Sequence, residues 1–153
     1  MPLKIEHRLG IPASAEAIWA VIVDVTAWSQ WNPLYPKADG LIRMGAPLTL
    51  EVAIPGRPPR TIRPVVADWV PNEQVHWTLS TMGGLVKSTR YIEIEQLTAT
   101  GCIFSNGEIF EGPLGALVAG RIRRDLRAAF AAMGEAVKVR VEALGDIAQP
   151  MLL

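Results

Sequence analysis

Arg90 and Glu108 are the two residues of this sequence whose types and spacing best suit chemistry. They lie in neighbouring β-rich runs that form a hairpin if the chain turns at residues 99–101. The register that places Ile94 opposite Phe104 on an apolar face also places Arg90 opposite Glu108 on that face. Two buried charges are costly unless they pair, and a buried pair can orient a carbonyl or enolate oxygen of a ligand. The alternative is a surface ion pair, which contributes about a few tenths of a kcal/mol.

Residues beside this pair extend the candidate site. In the same register, Ile92 and Asn106 lie next to the two charges on the inward face. Over residues 74–81, apolar and polar side chains alternate, and this alternation favours Trp77 inward and His76 outward. Trp77 is therefore a predicted ligand contact, whereas His76 as a general base is the less favoured assignment.

A turn-rich segment at residues 26–36 gathers large side chains, among them Trp28, Trp31, Asn32 and Tyr35. One interpretation is a gate at the mouth of a ligand cavity, because aromatic rings with one polar group suit such a position. The other is a plug that seals one end of a barrel-like sheet against the rest of the core. Both interpretations stay open at this point.

The elements that must position these residues follow from periodicity. Residues 3–9 alternate as a strand does, and Ser14 is placed to cap a helix whose first turn holds Glu16. A second, short helical turn should end before Pro33. Short β-rich runs between turn residues then predict six strands, over residues 40–44, 47–54, 61–70, 74–81, 87–98 and 102–110. Their short gaps predict an antiparallel meander, with irregular pairing at Pro64.

A long amphipathic helix is predicted over residues 115–145. Its apolar stripe should face the sheet and consists of Ile122, Leu126, Phe130, Met133 and Val137. Phe130 and Met133 lie midway along the helix, where a curved sheet stands furthest from it, so we expect them to line a cavity as well. Residues 145–153 are predicted to form a loose tail.

Four arginines form a basic cluster near the start of this helix: Arg121, Arg123, Arg124 and Arg127. Such a cluster can meet an anionic lipid or a carboxylated substrate. A solvated helix face is the favoured interpretation, because runs of charge on amphipathic helices usually face water.

The amino-acid composition excludes several classes of function. The chain carries 15 basic and 15 acidic side chains, so no net charge steers it to nucleic acid or to an anionic membrane. One cysteine, Cys102, and two histidines do not make a zinc site unaided, and a carboxylate-rich magnesium or calcium site stays open in principle. We assign no metal and no cofactor. Nucleotide-binding, serine-hydrolase and zinc-protease motifs are missing from the sequence.

The sequence also bears on location and domain count. Neither a signal-peptide-like run nor an apolar stretch of membrane-spanning length occurs in it. We therefore expect a cytoplasmic protein without stable membrane insertion, folded as one domain over residues 1–153.

Three ordered motifs resemble the START-like superfamily. They are Ile11-Pro12-Ala13-Ser14 followed by Ile18-Trp19 and Asp24, then Trp31-Asn32-Pro33, and later Glu108-Ile109-Phe110-Glu111-Gly112. With the terminal helix they extend over nearly the whole chain, and the closest branch is that of the bacterial polyketide cyclase/dehydrase proteins. The resemblance implies a helix-grip α+β fold, as in the birch-pollen allergen, with about seven curved antiparallel strands gripping a long C-terminal helix around a hydrophobic cavity.

The resemblance also implies binding of a hydrophobic small molecule or lipid in the cavity. The alternatives are a polyketide cyclase or dehydratase that uses acid/base residues in the same cavity, and an interaction module without chemistry. Arg90 and Glu108 are the catalytic candidates. The predicted ligand-binding residues are Trp28, Trp31, Asn32, Tyr35, Trp77, Arg90, Ile92, Asn106, Glu108, Phe130 and Met133.

Overall fold

A computed structural model describes residues 3–148 of the chain, with side chains as far as Gly145. In chain order the strands are β1 (Leu3–Ile11), β2 (Lys37–Gly40), β3 (Leu48–Val52), β4 (Arg60–Ile62), β5 (Val65–Val70), β6 (Gln74–Thr81), β7 (Val86–Thr98) and β8 (Gly101–Glu111). The α-helices are α1 (Ala15–Val23) and α2 (Gly115–Ala148), and short 3-10 helices cover Val25–Gln30 and Met82–Gly84. The predicted α+β fold is confirmed: curved antiparallel strands surround one long C-terminal helix.

Within the described residues, the strands form two hydrogen-bonded sheets rather than the single sheet of about seven strands that we expected. The order is β1-β8-β7-β6-β5 in the larger sheet and β2-β3-β4 in the smaller one. The sheets separate at Pro64, which divides the strand predicted over residues 61–70, because proline has no N–H to donate to a ladder. Isolated backbone bonds still join the two sheets, among them Leu48 N to Pro64 O at 2.9 Å and Val66 N to Ala46 O at 2.9 Å.

The second strand lies earlier in the chain than predicted, at residues 37–40 instead of 40–44. Gly40 ends it with a φ of 124°, a backbone conformation that glycine adopts without strain. A Cβ atom at this position would lie 2.7 Å from the carbonyl oxygen of Pro47, so the close approach also requires glycine. The apolar residues after Gly40 suggested a strand, but they belong to the turn that leads into β3.

Two helix predictions are confirmed and one is wrong. The Ser14 hydroxyl accepts a hydrogen bond from the Ala17 N–H at 3.1 Å and caps α1 as expected. The apolar stripe of α2 faces the sheet: Leu126, Phe130, Met133 and Val137 are buried, and Ile122 packs partly buried against the core. The predicted tail is wrong for residues 145–148, which continue the helix, since one glycine costs only about 1 kcal/mol there. Residues 149–153 lie outside the described residues.

Candidate functional site

The β7–β8 hairpin holds the two catalytic candidates. Its register pairs Ile94 with Phe104 and Arg90 with Glu108, as the sequence predicted. Arg90 Nε donates to Glu108 Oε1 at 2.7 Å, and the two side chains are only 10% and 5% exposed. The pair is therefore buried on the inward face of the sheet and is not a surface ion pair.

Tyr35 completes this group from a distant part of the chain. Arg90 Nη1 donates to the Tyr35 hydroxyl oxygen at 2.9 Å. Burial raises the pKa of the Tyr35 hydroxyl, although Arg90 acts in the opposite direction, so the phenol stays protonated at neutral pH. Burial alone would lower the pKa of Arg90, but Glu108 and Tyr35 outweigh it and hold that pKa above its usual value. The guanidinium is therefore always charged.

A cavity of about 450 Å³ opens beside this group. Its lining consists of Val52, Ile54, Arg57, Pro58, Pro59, Arg60, Thr81, Val86, Ser88, Arg90, Glu108, Phe110, Val118 and Ile122. Buried residues such as Phe110 form the floor, whereas the exposed Pro58 and Arg60 lie at the mouth. Among the hydrogen bonds of residues 3–145, neither Arg90 Nη2 nor Glu108 Oε2 takes part in one, so both atoms are available to a ligand.

The proline-rich loop between β3 and β4 forms one side of the mouth. Arg57 ties this loop to α2: its Nε donates to Asp125 Oδ2 at 3.1 Å and its Nη2 donates to the Arg121 carbonyl oxygen at 3.1 Å. From the sequence, residues 55–59 were only a separator between strands. The prolines and an arginine in one short loop were the available signal, but its partner lies in α2 and could not be inferred.

The predicted aromatic residues form a packed cluster instead of lining this cavity. Trp28 stacks on Tyr35 with ring centroids 5.6 Å apart, and Tyr35 meets Trp77 edge-on at 6.1 Å. The Trp28 indole N–H donates to the Ile22 carbonyl oxygen at 3.1 Å, and all three rings are buried. Trp31, half-buried, touches this cluster edge-on at 6.4 Å from Trp28. The segment therefore has the geometry of a plug, and the cavity mouth lies elsewhere.

Asn32 has a local structural role. Its side-chain Oδ1 accepts hydrogen bonds from the backbone N–H groups of Leu34 and Tyr35, at 3.0 and 3.1 Å. This turn fixes the backbone that carries Tyr35 towards Arg90.

The remaining predicted ligand contacts lie in the core. Ile92, Asn106, Phe130 and Met133 are buried, and the Asn106 side-chain amide donates to the Phe130 carbonyl oxygen at 3.1 Å. We expected Phe130 and Met133 to line a cavity midway along α2, but the observed lining draws on the first turns of the helix, through Val118 and Ile122. The helix middle is close-packed because β1 approaches it: a Cβ on Gly134 would lie only 2.7 Å from Leu9 Cδ2.

The other titratable candidates lie away from the cavity. His76 is on the outer face of the sheet, where its Nε2 lies 3.0 Å from Glu93 Oε2, while Trp77 points inward. Cys102 is buried, and burial raises the pKa of its thiol, which disfavours the thiolate form. The four helix arginines are exposed.

Two further observations concern the described residues only. No group of three histidine, cysteine or acidic side chains within residues 3–145 is close enough to hold a metal ion. None of the helices in the described part of the chain is long and apolar enough to cross a membrane.

Solved structures with the same fold come from plants and bacteria. Norcoclaurine synthase from Thalictrum flavum is 17% identical, with a TM-score of 0.72 over 95% of this chain and 97% of that one. A START superfamily protein from Mycobacterium smegmatis is 24% identical, with a TM-score of 0.68 over 92% and 98% of the two chains. The ZhuI aromatase/cyclase from Streptomyces sp. R1128 is 18% identical, with a TM-score of 0.62 over 89% and 94%.

At these identities the structures share the fold with this chain, and they carry no argument about its activity. No curated protein matches the sequence. The model of one protein family, described as polyketide cyclase / dehydrase and lipid transport, matches residues 2–141. Because this match extends over nearly the entire chain, the protein belongs to that polyketide cyclase / dehydrase and lipid transport family.

Proposed function

We propose that the protein binds a hydrophobic small molecule in the cavity and holds an oxygen atom of that molecule with Arg90. The observation that carries the proposal is a buried arginine–carboxylate pair at one side of a mainly apolar cavity. Family membership supports ligand binding or a cyclase role without choosing between them.

The cavity suits such a ligand in size and chemistry. Its volume of about 450 Å³ lies within the range of roughly 300–1,000 Å³ that is usual for small-molecule sites. Val86, Phe110 and Val118 provide apolar contacts. Arg90 Nη2 provides a charged donor and Glu108 Oε2 an acceptor, so a carbonyl with a neighbouring hydroxyl would satisfy both.

A pair of matched ligands tests this proposal. 2-Acetonaphthalene and 2-ethylnaphthalene have the same rings and differ in a carbonyl oxygen. We expect both to bind in a fluorescence titration, with the ketone binding about tenfold more tightly because its oxygen accepts from a charged donor. Arg90→Lys keeps a cation beside Glu108 but loses the planar guanidinium, so this preference should largely disappear.

Arg8→Lys is the matched control. Arg8 is an exposed arginine whose side chain is 57% accessible and lies 3.8 Å from Glu95, outside the cavity lining. The control should keep the preference for the ketone. The proposal would be contradicted if neither ligand bound, or if the wild type and Arg90→Lys preferred the ketone over 2-ethylnaphthalene to the same extent. Native mass spectrometry of freshly purified protein is the complementary search for a ligand that co-purifies.

A cyclase or dehydratase activity is the second candidate, favoured by the buried Glu108 carboxylate at the cavity. In such a reaction Glu108 removes a proton from the carbon next to the ligand carbonyl, and Arg90 stabilises the enolate oxygen that forms. Exchange of the methyl protons of 2-acetonaphthalene in deuterated water, followed by NMR, detects this step. Glu108→Gln should abolish the exchange while the ketone still binds, whereas exchange at the uncatalysed rate in the wild type would favour binding alone.

A further inference from the structure

Three large apolar side chains are exposed at the end of the molecule where the cavity opens. They are Met82, Leu85 and Leu117, with relative exposures of 58%, 44% and 53%. Single exposed apolar residues need no explanation, but a group of them beside a cavity mouth marks an interaction surface.

A backbone contact brings the two segments that carry these side chains together. The Leu85 carbonyl oxygen accepts a hydrogen bond from the Leu114 N–H at 3.1 Å, which joins the β6–β7 turn to the start of α2. Leu117 follows Leu114 by one helical turn. Met82 adopts a φ of 56°, an uncommon conformation for a residue with a side chain. Thr81 and Val86, which flank this turn, line the cavity.

Arginines border the apolar residues. Arg121 and Arg124 follow Leu117 by four and seven positions, so they lie on the same helix face. Arg57 and Arg60 lie across the cavity mouth. We call the set Met82, Leu85, Leu117, Arg121 and Arg124 the mouth patch.

The charge of this end differs from that of the chain as a whole. Residues 57–60, 81–87 and 111–125 carry six basic and two acidic side chains, although the full chain is neutral. One of the acidic residues, Asp125, is already paired with Arg57. Although the net charge of the chain is zero, the end that surrounds the cavity mouth is basic. The zero net charge therefore does not exclude attraction of this end to an anionic membrane.

We propose that the mouth patch docks on an anionic lipid bilayer. Exposed apolar side chains ringed by arginines are complementary to such a surface: the apolar groups enter the headgroup region and the guanidinium groups bind lipid phosphates. This contact is peripheral and needs no spanning helix. Docking would turn the cavity mouth towards the lipid, so that a hydrophobic ligand could pass between bilayer and cavity; only this last step rests on the proposed function.

Vesicle flotation with the full chain tests the docking. The vesicles are phosphatidylcholine alone or phosphatidylcholine with roughly one part in four of phosphatidylserine. We expect at least about tenfold tighter binding to the anionic vesicles, weakened by added salt. The double variant Met82→Asn/Leu117→Ser should lose about tenfold or more in affinity. Asparagine suits the backbone at position 82, and both sites are exposed, so folding should be unchanged.

Two variants serve as matched controls. Leu97 is 60% exposed but lies at the opposite end of the β7–β8 hairpin, so Leu97→Ser should bind as the wild type does. Arg121→Gln should weaken binding about fivefold. Arg123→Gln removes the same charge roughly 160° from Arg121 around α2 and should have a clearly smaller effect.

Several results would overturn the docking proposal. They are equal binding to neutral and anionic vesicles, no binding to either, or equal losses in the patch variants and their controls. A dimer in sedimentation velocity that Met82→Asn/Leu117→Ser converts to a monomer would assign the patch to a second copy of the chain instead. Vesicle binding by a wild-type chain that does not bind 2-acetonaphthalene would uphold the docking and reject only ligand passage.

Discussion

The two halves of the β7–β8 hairpin face the same helix, yet one half borders a cavity and the other is packed solid. In the half nearer the β6–β7 turn, the inward residues of β7 are Val86, Ser88 and Arg90, and all three line the cavity. Further along the strand they are Ile92 and Ile94, which are buried in the core.

The difference shows that large side chains and the close approach of β1 to α2 together decide where this fold is filled. At the filled end, Trp28, Tyr35 and Trp77 supply large rings from three separate elements. Arg90 lies at the border between the filled end and the cavity. It pairs with Trp77 on β6 and donates a hydrogen bond to Tyr35, and it also lines the cavity.

The largest expected effect comes from removing volume at the filled end. Trp28→Ala should lower the free energy of unfolding by about 3–5 kcal/mol, as truncation of a buried aromatic usually does. Urea denaturation measures this loss. Trp31→Ala, at a half-buried ring of the same cluster, should cost clearly less. Equal losses for the two variants would mean that the aromatic cluster is not a close-packed unit.

At the border, breaking the ion pair should cost somewhat less than removing Trp28. Glu108→Gln leaves the Arg90 charge buried without a counter-charge, so we expect a loss of about 3 kcal/mol in urea denaturation. The double variant Arg90→Met/Glu108→Leu removes both charges and should recover most of this stability. A double variant as unstable as Glu108→Gln would show that the pair is not acting as a buried charge pair.

A larger side chain should have different effects at the cavity and in the packed middle of the helix. Ile122→Trp fills space at the open end, so binding of 2-acetonaphthalene should fall tenfold or more, by about 1.4 kcal/mol or more, while thermal stability stays close to that of the wild type. Met133→Trp places the same ring where Met133 is already buried and should destabilise by about 1–3 kcal/mol through overpacking. If Met133→Trp instead left stability intact and blocked the ketone, the cavity would extend to the helix middle.

The smallest effect concerns pH. The pKa of Tyr35 is raised in the folded state, so above pH 10 the unfolded chain releases this proton first. The corresponding stability is present below about pH 10 and falls by up to about 1.4 kcal/mol for each further pH unit. Tyr35→Phe removes this contribution, and its unfolding free energy should decline less steeply between pH 10 and 11. Identical alkaline slopes for both proteins would argue against a buried, protonated Tyr35.

The features that could be predicted from the sequence are those that depend on a local pattern of residues. Alternation and the turn at residues 99–101 together sufficed to pair Arg90 with Glu108. A one-residue slip would move the apolar side chains to the opposite face, and the position of the turn excludes larger shifts. The stripe of α2 followed from helical spacing in the same way.

Features that depend on distant packing could not be predicted. The bond from Arg90 to Tyr35 joins residues 55 positions apart, and neither side chain signals the other. The cavity was expected at Phe130 and Met133, but its position depends on which elements fill the gap, and this is decided by contacts between segments far apart in the chain. β2 also ends earlier than predicted, at Gly40, where the carbonyl oxygen of Pro47 leaves no room for a Cβ atom, and the residues next to Gly40 do not indicate this contact.

The division of the strands at Pro64 has a dynamic consequence. The β2-β3-β4 sheet is joined to the larger sheet by isolated backbone bonds, so it can open locally at a lower free energy than the long hairpin. In native-state hydrogen exchange, the amide of Leu50 should exchange well before that of Phe104. Val52 and Arg60 line the cavity and belong to the small sheet, so this local opening would change the volume available to a ligand. The hairpin would meanwhile keep Arg90 and Glu108 in place. In the proposed function, tolerance for ligand size would then depend on the small sheet and discrimination of ligand chemistry on the β7–β8 hairpin.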